Sequence, residues 1–121
     1  IDLTMHFAQL GKSAGFLLPI LNATPYMELF GDVIIGHFLL QAAGIAQEKV
    51  NDTYRKKVVE DSKGRRRALI HEDRDVAFYE GKVASAKFFA VEVLSTIKAK
   101  CEAIKFGERV PIEMADESFT Y

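Results

Sequence analysis

Apolar residues crowd one stretch of this chain, ATPYMELFGDVIIGHFLLQAAGIAQEKV from Ala23 to Val50. At about 100° per residue, Phe30, Val33, Ile34, Ile35, Phe38, Leu39, Leu40 and Ile45 leave no wide polar face. A helix that is apolar nearly all round is normally a buried core element. Pro25 suits the first helical position, with Thr24 as the cap before it. The pattern carries this helix to about Val58. Its second half is amphipathic and ends in Arg55, Lys56 and Lys57, where cations favour a helix C-terminus.

The flanking segments have different periods. Leu3, Phe7, Leu10 and Ala14 predict a helical region over residues 2–21, weakened by Gly11 and Gly15 and kinked at Pro19. Residues 60–70 read as a charged linker containing Gly64. Its basic cluster of Lys63, Arg65, Arg66 and Arg67 is balanced by Glu60, Asp61, Glu72 and Asp73 and is expected to be solvated. Residues 72–106 read as one amphipathic helix. Phe78, Tyr79, Val83, Ala86, Phe89, Ala90, Val93, Leu94, Ile97, Cys101 and Ile104 share one face, and Glu80, Lys87, Lys98, Glu102 and Lys105 lie opposite. Gly107 is the expected stop. A second apolar strip on that helix, Ala84, Phe88, Val91 and Ser95, marks Ala84, Phe88 and Val91 as interface candidates. In the closing segment, Pro111 is expected to bar a helix.

No segment alternates with a period of two, so no sheet is predicted. The expected fold is all-α: one helical domain over residues 1–121. It is an up-and-down bundle built on a long antiparallel helix pair, with the N-terminal helical region on its open side.

Composition narrows the function classes. The chain has 121 residues, 49% hydrophobic and 27% charged, with a net charge of −1. A dedicated nucleic-acid binder would carry a basic excess, so no nucleic-acid partner is expected. The single cysteine, Cys101, excludes an internal disulfide and fits a reducing, cytoplasmic setting. Glu28, Asp32, His37 and Gln41 interrupt the apolar tract, so a buried helix is expected rather than a transmembrane segment. The first residue is Ile1, which reads as a chain cut from something longer or processed.

Candidate chemistry is sparse. His6, His37 and His71 show no paired metal spacing. Glu28, Asp32 and His37 around a metal form one reading, an enzyme in its own right. The partnering Glu-x-x-His motifs of a bundle di-metal site are absent, however, and no metal is expected. No nucleophile elbow, P-loop or dinucleotide fingerprint occurs. Gly31 and Gly36 read as points of close helix approach, since glycine otherwise costs about 1 kcal/mol in a helix.

Two stretches together carry a resemblance. They are ATPYMELFGDVIIGHFLLQAAGIA and DVAFYEGKVASAKFFAVEVL. In that order they resemble the extra C-terminal helical domain that follows the flavin-binding core in some acyl-CoA dehydrogenases. Lys87 stands where that family often has arginine, and Ser95 where it often has proline. The resemblance implies a parent enzyme that uses FAD to desaturate an acyl-CoA thioester between its α and β carbons. The glutamate base and the flavin contacts belong to the upstream core, so no catalytic or cofactor-binding residue is carried over. Tyr26, Gly31, Gly36, Phe78, Tyr79 and Phe89 are matched as packing positions. The implied role is docking, assembly or substrate-channel shaping, with the dehydrogenase core and further copies of the chain as partners. The alternative is a free-standing interaction module that forms a homodimer through Phe88 and Val91.

Overall fold

The computed structural model describes residues 1–13, 16–57 and 63–120. These are helical almost throughout, with no strand among the described residues. The helices are α1 (Asp2–Ser13), α2 (Leu17–Leu21), α3 (Ala23–Lys57), α4 (Lys63–Glu72), α5 (Arg74–Glu92), α6 (Ile97–Phe106) and α7 (Val110–Glu113). Short 3₁₀ turns occupy Leu94–Thr96 and Asp116–Phe119.

The expected all-α class holds, but several boundaries move. The first region is two helices, and Pro19 lies in the first turn of α2, where its missing N–H leaves no bond unmade. Ala14, Gly15, Val58, Glu60 and Asp61, which also figured in the sequence reading, lie outside the described residues. Thr24 does not cap α3. The Tyr26 N–H already donates to the Asn22 carbonyl at 3.0 Å, so the helix begins at Ala23. The Asn22 side chain turns back and donates to the Leu18 carbonyl at 3.0 Å.

The expected charged linker is helical from Lys63. Leu69 and Ile70 give α4 an apolar side, and Leu69 is buried. The expected long helix over residues 72–106 is two helices. Asp73 starts α5 by accepting from the Asp75 and Val76 N–H groups at 3.0 and 3.3 Å. The helix stops after Glu92, and the Ser95 hydroxyl donates back to the Val91 carbonyl, a bond that bends helices. Gly107 ends α6 in the left-handed region at φ 65°, as expected. Pro111 does not bar a helix in the tail; it sits in the first turn of α7.

The chain divides into two compact units, residues 1–31 with 96–121, and residues 32–95. In the first unit, Leu3, Leu29 and Ile104 form the core, joined by Phe7, Tyr26, Ile97 and Cys101. The Phe7 and Tyr26 rings stack at 4.7 Å. In the second, Val50, Tyr54, Leu69 and Val76 form the core, joined by Ile70 and Tyr79. Within this unit, Gly36 meets Leu94 and Tyr54 meets Glu80. As numbers rise along α3 they fall along its partner, so the two segments run in opposite directions.

Candidate interaction surface

The prominent surface features of residues 32–95 are an apolar groove and two apolar helix faces. α3 supplies Val33, Gly36, His37 and Leu40 to the groove; α5 and the turn after it supply Ala86, Phe89, Ala90 and Leu94. The cavity is about 220 Å³, and His37 is the one polar side chain in its lining. Gly36 is what lets the floor close. A Cβ added there would lie 2.9 Å from Leu94 Cδ2, inside van der Waals contact.

The outer face of α3 overturns the expectation of a buried helix. Ile34, Ile35, Phe38 and Ile45 are exposed, and only 17% of the helix's most apolar window is buried. The reason lies in residue size. Gly36, Ala43, Ala46 and Val50 share one side of the helix, and of these Gly36, Ala46 and Val50 are buried. Phe30, Ile34, Phe38 and Ile45 stand on the other side, while Leu39 is half-buried on the packed one. By length and composition, α3 is also the one helix among the described residues long and apolar enough to cross a membrane. On α5, Ala84, Phe88 and Val91 are all exposed.

The packing positions read from the sequence separate into two groups. Tyr26 and Tyr79 are half-buried against the two cores, and Phe89 is half-buried in the groove wall. Gly36 makes the close approach expected of it. Gly31 does not: a Cβ there would meet no atom within 4 Å. Phe78 is not a core residue either. It is exposed, edge-on to Tyr79 at 5.4 Å, with the Lys82 ammonium 5.2 Å from its ring centre. At about 100° per residue Phe78 lies roughly 100–160° from Tyr79, Val83 and Val76, which make the packed side of α5, so it falls at the edge of the apolar arc.

Polar pairs fasten the helices of this unit. Buried Tyr54 donates its hydroxyl to Glu80 Oε1 at 3.0 Å, and the Arg66 guanidinium lies 5.1 Å from the Tyr54 ring centre. Burial, reinforced by the bond to Glu80, raises the Tyr54 pKa above its ordinary value. Lys57 pairs with Asp73, and that bond, with the Val76 and Asp75 N–H groups, holds the Asp73 carboxyl below its ordinary range. In the basic cluster, Arg65 reaches Glu72 at 3.7 Å. Among the described residues no group of three or more His, Cys, Asp or Glu converges, so Glu28, Asp32 and His37 do not assemble a metal site. Cys101 is half-buried beside the first unit's core. This arrangement of apolar faces, a small apolar groove and structural ion pairs is suited to covering another surface.

A family model described as acetyl-CoA dehydrogenase C-terminal like matches residues 1–115. No curated protein and no solved structure matches the chain.

Proposed function

Because the chain belongs to the acetyl-CoA dehydrogenase C-terminal-like family, we propose that it is a non-catalytic helical domain docked on the flavin-binding core of a cytoplasmic acyl-CoA dehydrogenase. There it serves docking, assembly or shaping of the substrate channel. The parent reaction in this reading is α,β-desaturation of an acyl-CoA thioester, with FAD held by the core.

The observation that carries this reading is the exposure of Leu40, Phe88 and Val91 on helices whose other sides are packed. Apolar patches of this kind mark contact with another macromolecule. FAD does not fit the groove. About 220 Å³ lies below the usual size of a small-molecule pocket, and His37 alone offers a polar group where a pyrophosphate needs several donors. In this reading the cofactor is held by the core.

The test is the intact mass of the native polypeptide in its source cells, detected with an antibody to this domain. A several-fold longer chain that copurifies with flavin is expected. The 121-residue chain alone is expected not to reduce a dye acceptor with an acyl-CoA substrate. Turnover by the isolated chain would overturn the reading.

A further inference from the structure

The outer face of α3 is patterned as well as apolar. Ile34, Phe38, Gln41 and Ile45 recur at steps of four, three and four, the spacing of a two-helix seam. At about 100° per residue they fall within roughly 60° of arc, on the side opposite Gly36, Ala43, Ala46 and Val50. No Asp, Glu, Lys or Arg occurs between Asp32 and Glu48. Gln41 is exposed, and its amide carries both donors and acceptors.

We propose that this face is a self-association seam, occupied by the same face of a second copy related by a two-fold axis. An isologous interface needs a patch complementary to itself. An uncharged strip with one amide meets that need, because a glutamine amide can donate to and accept from its own mate. Ile34, Phe38 and Ile45 are 40%, 63% and 61% exposed. At about 200 Å² per large apolar side chain, that leaves roughly 330 Å² of apolar surface per copy. A pair would cover about 650 Å² of apolar area, and with an interface about 60% apolar this implies roughly 1,100 Å² in all. That clears the roughly 1,000 Å² a biological interface needs and fits a weak, concentration-dependent pair. The seam is separate from the Ala84, Phe88 and Val91 strip of α5, and it does not depend on the flavin-core reading.

Sedimentation velocity on the 121-residue chain, from about 1 to 200 µM, tests the proposal. The expected result is a weight-average mass that rises from one chain toward two. Phe38→Glu is expected to move the midpoint to at least about tenfold higher concentration with an unchanged helical circular dichroism signal. A cross-link gives the second readout and does not require that variant to fold. In a Cys101→Ser background, Gln41→Cys is expected to form an interchain disulfide under mild oxidation, and Ala84→Cys is not. A chain that stays monomeric at 200 µM overturns the proposal. So does a dimer that cross-links at position 84 and not at 41. Flotation of the monomer with phosphatidylcholine vesicles, lost in Phe38→Glu, would assign the face to a membrane and overturn it equally.

Discussion

Tyr54 and Glu80 are joined by a 3.0 Å hydrogen bond between the last turns of α3 and the first half of α5, with the tyrosine ring inside the Val50, Leu69 and Val76 cluster. The side chain thus has two separable roles. Tyr54→Phe keeps the ring and removes the bond, and is expected to cost about 1 kcal/mol in urea unfolding. Tyr54→Ala also removes the packing and is expected to cost about 3–5 kcal/mol. The folded-state pKa is raised, so the phenol's contribution is complete below about pH 10 and is lost as pH rises through the raised value. Wild-type stability should therefore fall more steeply above about pH 10 than that of Tyr54→Phe. Parallel curves would remove the Glu80 bond from the account.

Asp73 should make stability sensitive to acid. It closes the start of α5 and pairs with Lys57 at the end of α3. Its carboxyl is held below the ordinary value of about 3.9. The contribution is present above that value and is lost as pH falls through the lowered one. Thermal unfolding followed between about pH 6 and 2.5 should show a drop in midpoint that is smaller in Asp73→Ala. The Lys57 side chain is half exposed, so added salt should weaken the Lys57 part and spare the cap.

Two glycines of α3 should respond in opposite ways. Gly31→Ala adds a Cβ in open space and removes glycine's helix penalty, so a gain of up to about 1 kcal/mol is expected. Gly36→Val drives a branched side chain into Leu94 and is expected to cost about 1–3 kcal/mol. Leu94→Ala in the Gly36→Val background should recover part of that cost. A double-mutant cycle with no coupling would show that the two residues do not touch in solution.

What was legible in the sequence follows the period of each segment. The long helix over Ala23–Lys57, the αL stop at Gly107 and the all-α class were readable because a strong apolar period and a glycine just past the last turn are local signals. Gly31 and Gly36 read alike as points of close helix approach, and only Gly36 has a neighbour, the Leu94 side chain. α4 was missed because three arginines and Gly64 outweighed Leu69 and Ile70 in a short window. The break after Glu92 was missed because Val93 and Leu94 continue the apolar period, and the Ser95 to Val91 bond that ends it leaves no trace in periodicity. The exposed face of α3 was the largest error. Hydropathy counts Ile34 and Phe38 as core whichever way they point. The clue was the alignment of Gly36, Ala43 and Ala46 on one side, where only Leu39 intervenes, opposite Ile34, Phe38 and Ile45. The Tyr54–Glu80 bond joins residues far apart in sequence, and no local spacing announces it.

Gly107 offers the sharpest test of the first unit. Its φ of 65° is a conformation that costs an L-residue about 1–2 kcal/mol. An added Cβ would also come within 3.2 Å of Leu18 Cδ2, the buried residue of α2. Gly107→Ala is therefore expected to destabilise by about 1–2 kcal/mol, and Gly107→Asn by less, because asparagine tolerates the left-handed region. Strain alone would lower global stability and leave local order unchanged. Crowding against Leu18 would also loosen α2, read as faster hydrogen exchange at the Asn22 amide, which donates to the Leu18 carbonyl at 3.2 Å. If Gly107→Ala unfolds at the wild-type midpoint with Asn22 still protected, then α6 ends in another conformation and Gly107 is not its cap.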